Sequence, residues 1–366
     1  MIEASVVQQV RERLVAERPA DPGAAIGEFV NHLLPLAAPD DRRRLAAELG
    51  AELLGLGPLQ RLLDDPDVDE VLVNAGSDIW VERRGRLEPA GRLQPGQADT
   101  VLERVLLPLG LRIDRSHPTV DARLADGSRV SAVIAPLAVD GTCLAIRRFR
   151  LRAADVSAFI EPRGAELLAD LIDRRCNVIV SGATSSGKTT LLNALAAHIP
   201  DDERIITIED TAELRLATRH VVRLECRSAS PDGPAAVTVR DLLRAALRLR
   251  PDRLVVGDVH GAEASDMVQA LNTGHDGSLS TCHANSPDDA LRRIESMALQ
   301  GGAEVPLRAL REQIHSSFDA VIHVERTAGE RRVREIAEVA RTTTAGHRTR
   351  TVWRNGEVAG LFGRSR

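Results

Sequence analysis

The stretch Ser181–Thr190 reads SGATSSGKTT and holds Lys188, the only lysine in the chain. Lysine and arginine together number 48, so every other basic side chain is an arginine. An ammonium is a compact point charge, whereas a guanidinium is a broad planar fork that prefers a bidentate partner. A narrow phosphate site accepts the first and excludes the second, which indicates that Lys188 serves phosphate binding.

The spacing around Lys188 fits the phosphate-binding P-loop. Gly182 is followed by four residues and then by Gly187, Lys188 and Thr189, and the residues before it are typical of a buried strand. A chance loop rich in glycine and serine is the alternative, but the strand-loop-helix context favours binding of ATP. In a P-loop, backbone N–H groups hold the phosphates, the lysine reaches the β and γ oxygens, and the Thr189 hydroxyl binds Mg²⁺. The predicted nucleotide contacts are Gly182, Ala183, Thr184, Ser185, Ser186, Gly187, Lys188, Thr189 and Thr190.

Two further strand-like runs end in carboxylates. The run at 204–209 leads into Glu209, Asp210 and Glu213, and the run at 253–257 is followed by Asp258, as in a Walker B element. Carboxylates beside a bound phosphate hold Mg²⁺ or orient the attacking water. We predict Glu209, Glu213 and Asp258 as catalytic residues, although acids at a helix start also complement its dipole. The predicted Mg²⁺ ligands are Thr189, Glu209 and Asp258.

The segment GHDGSLSTCHAN places His275 and His283 at either end of a strand. A neutral histidine at such a position hydrogen-bonds the γ-phosphate and reports its loss to the domain. A zinc site that includes Cys282 is the alternative. Neighbouring strand residues point to opposite faces, so Cys282 and His283 do not converge on one metal. We therefore predict nucleotide-sensing roles for both histidines.

Composition excludes several classes of protein. The chain of 366 residues has a net charge of −5 and 2% aromatic residues, which disfavours nucleic-acid binding. Four scattered cysteines indicate neither a disulfide framework nor a zinc ribbon. There is no signal-peptide pattern and no uncharged apolar run approaching about 18 residues, so we expect a cytoplasmic protein.

The order of the patterns predicts an α/β protein with three regions. We expect a helical N-terminal region at 1–50, with helices at 5–17 and 41–55 separated by prolines, then an α/β domain at 51–155. A connector at 151–164 leads into a RecA-like P-loop ATPase domain at 156–366 with a parallel sheet and terminal hairpins. The predicted strands of that sheet are 177–181, 204–209, 253–257 and 278–283, and its helices 187–198, 238–249, 262–272 and 287–297.

Four ordered motifs resemble those of the type II/IV secretion ATPases. SGATSSGKTT, IITIEDTAEL, LRLRPDRLVVGDVHGAEA and GHDGSLSTCHAN are similar, in that order, to the Walker A, Asp box, Walker B and His box of that family. Upstream, LGLGPLQRLLDDPDVDEVLVN, VERRGRLE, HPTVDARLADGSRVSAVIAPLA and AIRRF resemble the N-terminal domain of the tight-adherence (Flp) pilus branch. The resemblance covers nearly all of the chain beyond about residue 50.

This resemblance implies an ATP-hydrolysing motor. It implies a homo-oligomer, a hexameric ring, that binds ATP between two domains and works with inner-membrane platform proteins, through which it associates peripherally with the membrane. It also implies that Arg129 and Arg147 are brought onto the terminal phosphate, where an arginine couples domain closure to transition-state charge. A solvated surface position is the alternative for each arginine.

The Walker B segment departs from the family pattern Gly-Glu-x-Arg-Gly. Here Asp258 and His260 replace the glutamate and the arginine. The aspartate carboxylate falls about 1 Å short, and a misplacement of that size costs about 100-fold in rate. His260 weakens an ion pair or adds pH sensitivity. A nucleotide-gated structural or regulatory subunit with weak turnover is therefore an alternative function, and a RecA-type nucleic-acid motor is a less favoured one.

Overall fold

The computed structural model describes residues 4–124, 126–148, 155–227, 235–302, 305–327, 330–340 and 347–363. The chain divides into two compact units, Met1–Arg150 and Leu151–Arg366, and each unit has its own β-sheet. Helices and strands occur in both units, so the α/β class expected from the sequence is confirmed.

The first unit begins with three helices that pack on one another. Their shared core consists of buried apolar side chains such as Val10, Phe29 and Leu49. The helical region thus has a core of its own. The elements of this unit are α1 (Ala4–Glu17), α2 (Pro22–Leu33), α3 (Pro39–Leu53), α4 (Gln60–Asp64), β1 (Val68–Asn74), β2 (Asp78–Arg83), β3 (Arg86–Arg92), α5 (Gln97–Leu106), β4 (Thr119–Arg123), β5 (Arg129–Val133) and β6 (Cys143–Arg147).

The sheet of the first unit is antiparallel, with strand order β3-β2-β1-β6-β5-β4. Helix α5 buries Val101, Leu102 and Val105 in the same core as the sheet residues Val71 and Ile146. The turns predicted at Arg84-Gly85 and Asp126-Gly127 connect β2 to β3 and β4 to β5. This part of the chain therefore follows its sequence pattern closely.

The second unit alternates strands and helices before it ends in hairpins. The alternation buries one apolar cluster on each side of the sheet. Its elements are α6 (Pro162–Asp173), β7 (Val178–Gly182), α7 (Lys188–Ala196), β8 (Ile205–Glu209), β9 (Val221–Glu225), α8 (Val239–Ala246), β10 (Arg253–Val259), α9 (Glu263–Asn272), β11 (Leu279–His283), α10 (Pro287–Gln300), α11 (Leu307–Ser317), β12 (Ala320–Thr327), β13 (Glu330–Val339), β14 (Thr349–Arg354) and β15 (Glu357–Val358).

The sheet of the second unit has the order β15-β14-β13-β12-β7-β11-β10-β8-β9. The six strands from β12 to β9 are parallel, and the remaining pairs are antiparallel. The central parallel strands β7, β11, β10 and β8 are almost fully buried, as expected when helices cover both faces of a sheet, whereas the edge strand β9 is only half-buried. The predicted parallel sheet and terminal hairpins are confirmed.

Four helices, α2, α4, α6 and α11, are not among the predicted elements. Pro22 and Pro162 each occupy the first turn of a helix, α2 and α6, where the missing N–H is no loss. The predicted connector at 151–164 is therefore wrong at its end, while residues 151–154 lie outside the described residues. Strand β9 was also missed.

Arg253 stabilises the edge of the sheet opposite the P-loop. Its side chain is 1% exposed, and its guanidinium donates to both carboxylate oxygens of Glu203 at 2.7 and 2.9 Å. A further N–H donates to the carbonyl of Ile172 at 3.1 Å. The buried charge is thus paired and hydrogen-bonded, as burial of an arginine requires.

We predict that Arg253→Met lowers the free energy of unfolding by about 3–5 kcal/mol, because Glu203 keeps its charge and loses its buried partner. Urea unfolding measures the loss. Arg175→Met is the matched control, since Arg175 contacts the same carboxylate at 3.3 Å from a more exposed position and should cost less than about 1 kcal/mol. Equal losses in the two variants would contradict this role for Arg253.

Candidate functional site

Four neighbouring parallel strands bring the predicted catalytic side chains to one edge of the sheet. Strands β7, β11 and β8 end at Gly182, His283 and Glu209, and Asp258 lies one residue before the end of β10. His283 pairs in register with Gly182. Ligands of open α/β sheets bind at the carboxyl ends of the strands, so this edge is the candidate site.

The loop between β7 and α7 is a cradle that leaves no room for side chains at its glycines. Gly182 has φ +156°, and a Cβ there would lie 2.3 Å from the carbonyl oxygen of Val324. Gly187 has φ +102°, and a Cβ there would lie 2.7 Å from the Cδ of Arg331. Both positions require glycine on steric grounds, which explains the spacing seen in the sequence.

Lys188 is the first residue of α7, and its side chain folds back over the loop. The ammonium donates to the carbonyl oxygens of Gly182 at 3.2 Å and Ala183 at 3.0 Å. It also lies 3.2 Å from Nδ1 of His283. Burial lowers the pKa of Lys188, and the charge of Asp258 opposes that shift. These direct contacts are uncharged, so the cradle holds a cation without an anion against it.

His283 connects Lys188 to Asp258. Its Nε2 lies 3.3 Å from Oδ2 of Asp258. Because the ammonium of Lys188 has only protons to offer, Nδ1 must accept, which leaves Nε2 to donate to the carboxylate. A neutral ring satisfies both contacts. Burial lowers the pKa of His283, which favours that neutral form.

Thr281 holds the other oxygen of Asp258. The Thr281 hydroxyl lies 3.2 Å from Oδ1 of Asp258 and 2.6 Å from the carbonyl oxygen of Gly257. Thr281 is buried. The carboxylate of Asp258 is therefore restrained on both of its oxygens by strand β11.

The residues of the cradle fit a phosphate group. Helix α7 starts without a side-chain cap, so its first N–H groups point out of the helix towards the loop. Ser186 is buried, and its hydroxyl has no hydrogen-bond partner among the described residues. Unpaired donors and an ammonium without an anion, gathered at a helix N-terminus, are what a phosphate needs.

Glu209 is a buried carboxyl group at the end of β8. Its Oε1 accepts from the backbone N–H groups of Glu213 and Leu214, both at 2.8 Å. Its Oε2 has no partner in the described part of the chain. Gly257 makes room for it, since a Cβ there would lie 2.7 Å from the Cγ of Glu209. Burial raises the pKa of Glu209 to about 7, and the two backbone hydrogen bonds oppose this rise.

His260 forms an ion pair with Asp210 across the ends of β10 and β8, and this hydrogen bond raises the pKa of His260 to about 9. The histidine that replaces the expected arginine therefore stays protonated near neutral pH. A pKa of about 9 places the titration of this ion pair in the alkaline range.

Among the predicted residues of the second unit, His275 lies away from this edge. His275 precedes β11, at the opposite edge of the sheet from His283, and its Nδ1 lies 3.0 Å from the carbonyl oxygen of Ala270. Arg129 and Arg147 belong to the first unit, where they are exposed and face each other across β5 and β6. The structure thus joins His283 to the cradle and leaves the roles of the other three as predictions.

Two residues at the site were missed from the sequence. Arg331 of β13 packs over Gly187, and its Nη1 lies 3.3 Å from the hydroxyl of Thr190. Thr281 restrains Asp258, as described above. No sequence pattern near Arg331 indicates a site, because this residue belongs to a hairpin distant from the P-loop along the chain. Thr281 lies inside the segment with the two histidines, and that segment could have indicated it.

The fold and the cradle define a P-loop nucleotide-binding protein with a RecA-like ATPase domain. The family model described as "Type II/IV secretion system protein" matches residues 52–357. The chain therefore belongs to the type II/IV secretion system protein family, as its motifs indicated.

Named relatives agree with this family, and a solved structure supports the fold. A putative conjugal transfer protein of Mycobacterium tuberculosis strain H37Rv is 39% identical over 322 residues, which cover 83% of this chain and 90% of that protein. The type IV secretion system protein PtlH of Bordetella pertussis is 33% identical and covers 83% and 96%. The pilus retraction motor PilT, solved with ADP, has a TM-score of 0.56 at 19% identity, covers 82% of this chain and 83% of its own, and supports the fold.

We predict that Glu209→Gln stabilises the protein increasingly as the pH rises. The folded-state pKa of about 7 lies above the ordinary glutamate pKa of 4.5, so the folded state holds a proton that the unfolded state has released. Wild type therefore loses stability as the pH rises from 4.5 to 7. The variant should gain up to about 3 kcal/mol on wild type from pH 4.5 to pH 8.

Urea unfolding without nucleotide and with EDTA measures this difference. Glu213→Gln is the control, because Glu213 lies beside Glu209 but is half-buried. If the difference in the free energy of unfolding between wild type and Glu209→Gln does not change with pH, the shifted pKa of Glu209 is contradicted.

Proposed function

We propose that this chain is the ATP-hydrolysing motor subunit of a type II/IV secretion or pilus-assembly system. The observation that carries the proposal is the position of Lys188 in the cradle. Its ammonium contacts the ring of His283, and the carboxylate of Asp258 contacts the other side of that ring, so no anion touches the ammonium directly. The family membership supports the cellular role, and the geometry supports the chemistry.

Lys188 and His283 couple phosphate binding to the sheet. When a phosphate occupies the cradle, Lys188 turns from the His283 ring to the phosphate oxygens, because a charge-assisted hydrogen bond is stronger than one to a neutral ring. His283 then loses one of its two contacts and is free to move with β11. Loss of the terminal phosphate restores the contact, so the strand reports the state of the nucleotide.

Glu209 and Asp258 are proposed to act on the attacking water and the metal. Mg²⁺, when bound with ATP, neutralises charge on the phosphate oxygens. Thr189, Glu209 and Asp258 are the residues that would hold it, together with the phosphates. In the metal-free protein the pKa of Glu209 is about 7, which suits this carboxylate to accept a proton at neutral pH, whereas Mg²⁺ bound to it would keep it charged.

The assembly is proposed from family likeness. We infer a homo-hexameric ring at the cytoplasmic face of the inner membrane, associated peripherally through platform proteins and independent of nucleic acid. No helix among the described residues is long and apolar enough to cross a membrane. Arg129 and Arg147 are proposed to reach the terminal phosphate, and the tight-adherence branch remains a prediction.

A nucleotide-gated subunit with weak turnover is the second candidate function. The favouring observation is the restraint on Asp258, whose two oxygens are engaged by Thr281 and His283. A short carboxylate tied to its own sheet positions a metal or water less well than the longer glutamate does.

We predict that the purified protein hydrolyses ATP with Mg²⁺, that Lys188→Ala abolishes turnover, and that Asp258→Glu raises it by about tenfold. The added methylene recovers part of the reach that the shorter side chain loses. Steady-state phosphate release measures all three proteins.

Asp202→Glu is the matched control, since it makes the same chemical change at an exposed position away from the cradle. Turnover of wild type no higher than that of Lys188→Ala, with ATP binding intact, would replace the motor by the nucleotide-gated subunit.

A further inference from the structure

An apolar groove lies in the helical region of the first unit. It has a volume of about 490 Å³. Its lining comes from the second half of α1, the start of α2, the end of α3 and one residue of α5. The lining residues are Arg11, Leu14, Val15, Arg18, Pro19, Pro22, Leu53, Leu54 and Arg104. None of the functions proposed above uses this surface.

Two apolar side chains of the groove are exposed, whereas Leu14 and Leu53 pack against the core of the three helices. Val15 is 68% exposed and Leu54 is 50% exposed. The core of the three helices is built from other residues, so these two are not needed to hold the helices together. Exposed apolar side chains in a groove with a polar rim are typical of an interaction site.

The rim of the groove is positively charged. Arg11, Arg18 and Arg104 contribute three guanidinium groups, and none of the described residues that line the groove is acidic. Arg104 donates to the carbonyl oxygen of Gly55 at 3.1 Å, and none of the three arginines forms an ion pair with a carboxylate among the described residues. A partner with carboxylates at matching positions would supply the missing charge.

Two carboxylates near the groove contact groups other than the rim arginines. Glu17 forms an ion pair with Arg13 at 2.9 Å. Asp21 caps α2 by accepting from the N–H of Ala24 at 3.0 Å. Neither carboxylate forms an ion pair with an arginine of the rim, so the three guanidinium groups remain available to a partner.

The shape of the groove selects a helix as its occupant. Every lining residue lies on a helix or in the few residues next to one, and no strand edge borders the groove. A peptide cannot add to it as a strand, whereas the apolar face of a helix fits a groove between helices.

We propose that this groove binds an acidic amphipathic helix of a partner protein. The apolar face of that helix packs on Leu14, Val15 and Leu54, and its flanking carboxylates pair with Arg11 and Arg18. Docking here is separate from nucleotide chemistry, so the proposal holds or fails independently of ATP hydrolysis.

The probe is a designed helical peptide of about 18 residues with leucines on one face and glutamates on the flanks, labelled for fluorescence anisotropy. The full chain should bind it saturably, and more weakly as salt rises. A scrambled peptide of the same composition and a peptide with lysine in place of glutamate should both bind at least about tenfold more weakly.

The variants test the groove itself. Arg18→Glu and Val15→Ser should each weaken binding at least about fivefold. Arg86→Glu should leave binding unchanged, because Arg86 is an exposed arginine on β3 of the same unit. Circular dichroism and ATP binding confirm that each variant is folded.

Three results would overturn the proposal. The first is equal binding of the scrambled peptide, and the second is an equal loss with Arg86→Glu. The third is self-association of the chain, seen by sedimentation velocity and abolished by Arg18→Glu, which would make a second copy the occupant.

Discussion

The proposed nucleotide site depends on an ammonium held by groups that do not neutralise it. Lys188 contacts two loop carbonyls and the ring of His283, and the carboxylate of Asp258 reaches it only through that ring. Such an arrangement exists because β11 lies between β7 and β10, which places His283 opposite Gly182. The strand order therefore determines which side chain receives Lys188 when no phosphate is present.

The same edge of the sheet contains a second buried ionisable group whose hydrogen bonds are incomplete. Glu209 is buried with one oxygen unpartnered, and Gly257 on the neighbouring strand makes the space for it. A buried carboxyl group in this position is costly for folding, because desolvation disfavours its charged form. The cost becomes useful when a metal or a proton arrives, since the oxygen is already positioned. Local destabilisation of this kind is common at functional sites.

The sequence was sufficient where the chemistry is local. The P-loop, the parallel sheet and the meeting of His283 with Asp258 follow from strand ends that must share one edge. Sequence patterns were insufficient where the effect of a residue depends on its place in an element. Pro22 and Pro162 lie in the first turn of a helix, where proline is tolerated, whereas a proline inside a helix breaks it. Arg331 could not be predicted, because its contact with the cradle depends on how a distant hairpin packs.

His275 shows a further limit of sequence reasoning. Its distance along the chain from His283 is short, yet one strand separates the two, and a strand carries its ends to opposite edges of a sheet. A motif with two histidines therefore does not imply one site within a subunit. The contacts of each side chain, and not the motif alone, decide which residue faces the phosphate.

The most direct test of the account compares two replacements of the single lysine. Binding of ATP with Mg²⁺ is measured by titration calorimetry for wild type, Lys188→Met and Lys188→Arg. If the cradle requires a point charge, the arginine variant loses affinity as severely as the methionine variant, by about 100-fold or more. If Lys188→Arg binds ATP within about threefold of wild type, any cation is sufficient, and the explanation for a lone lysine among arginines is wrong.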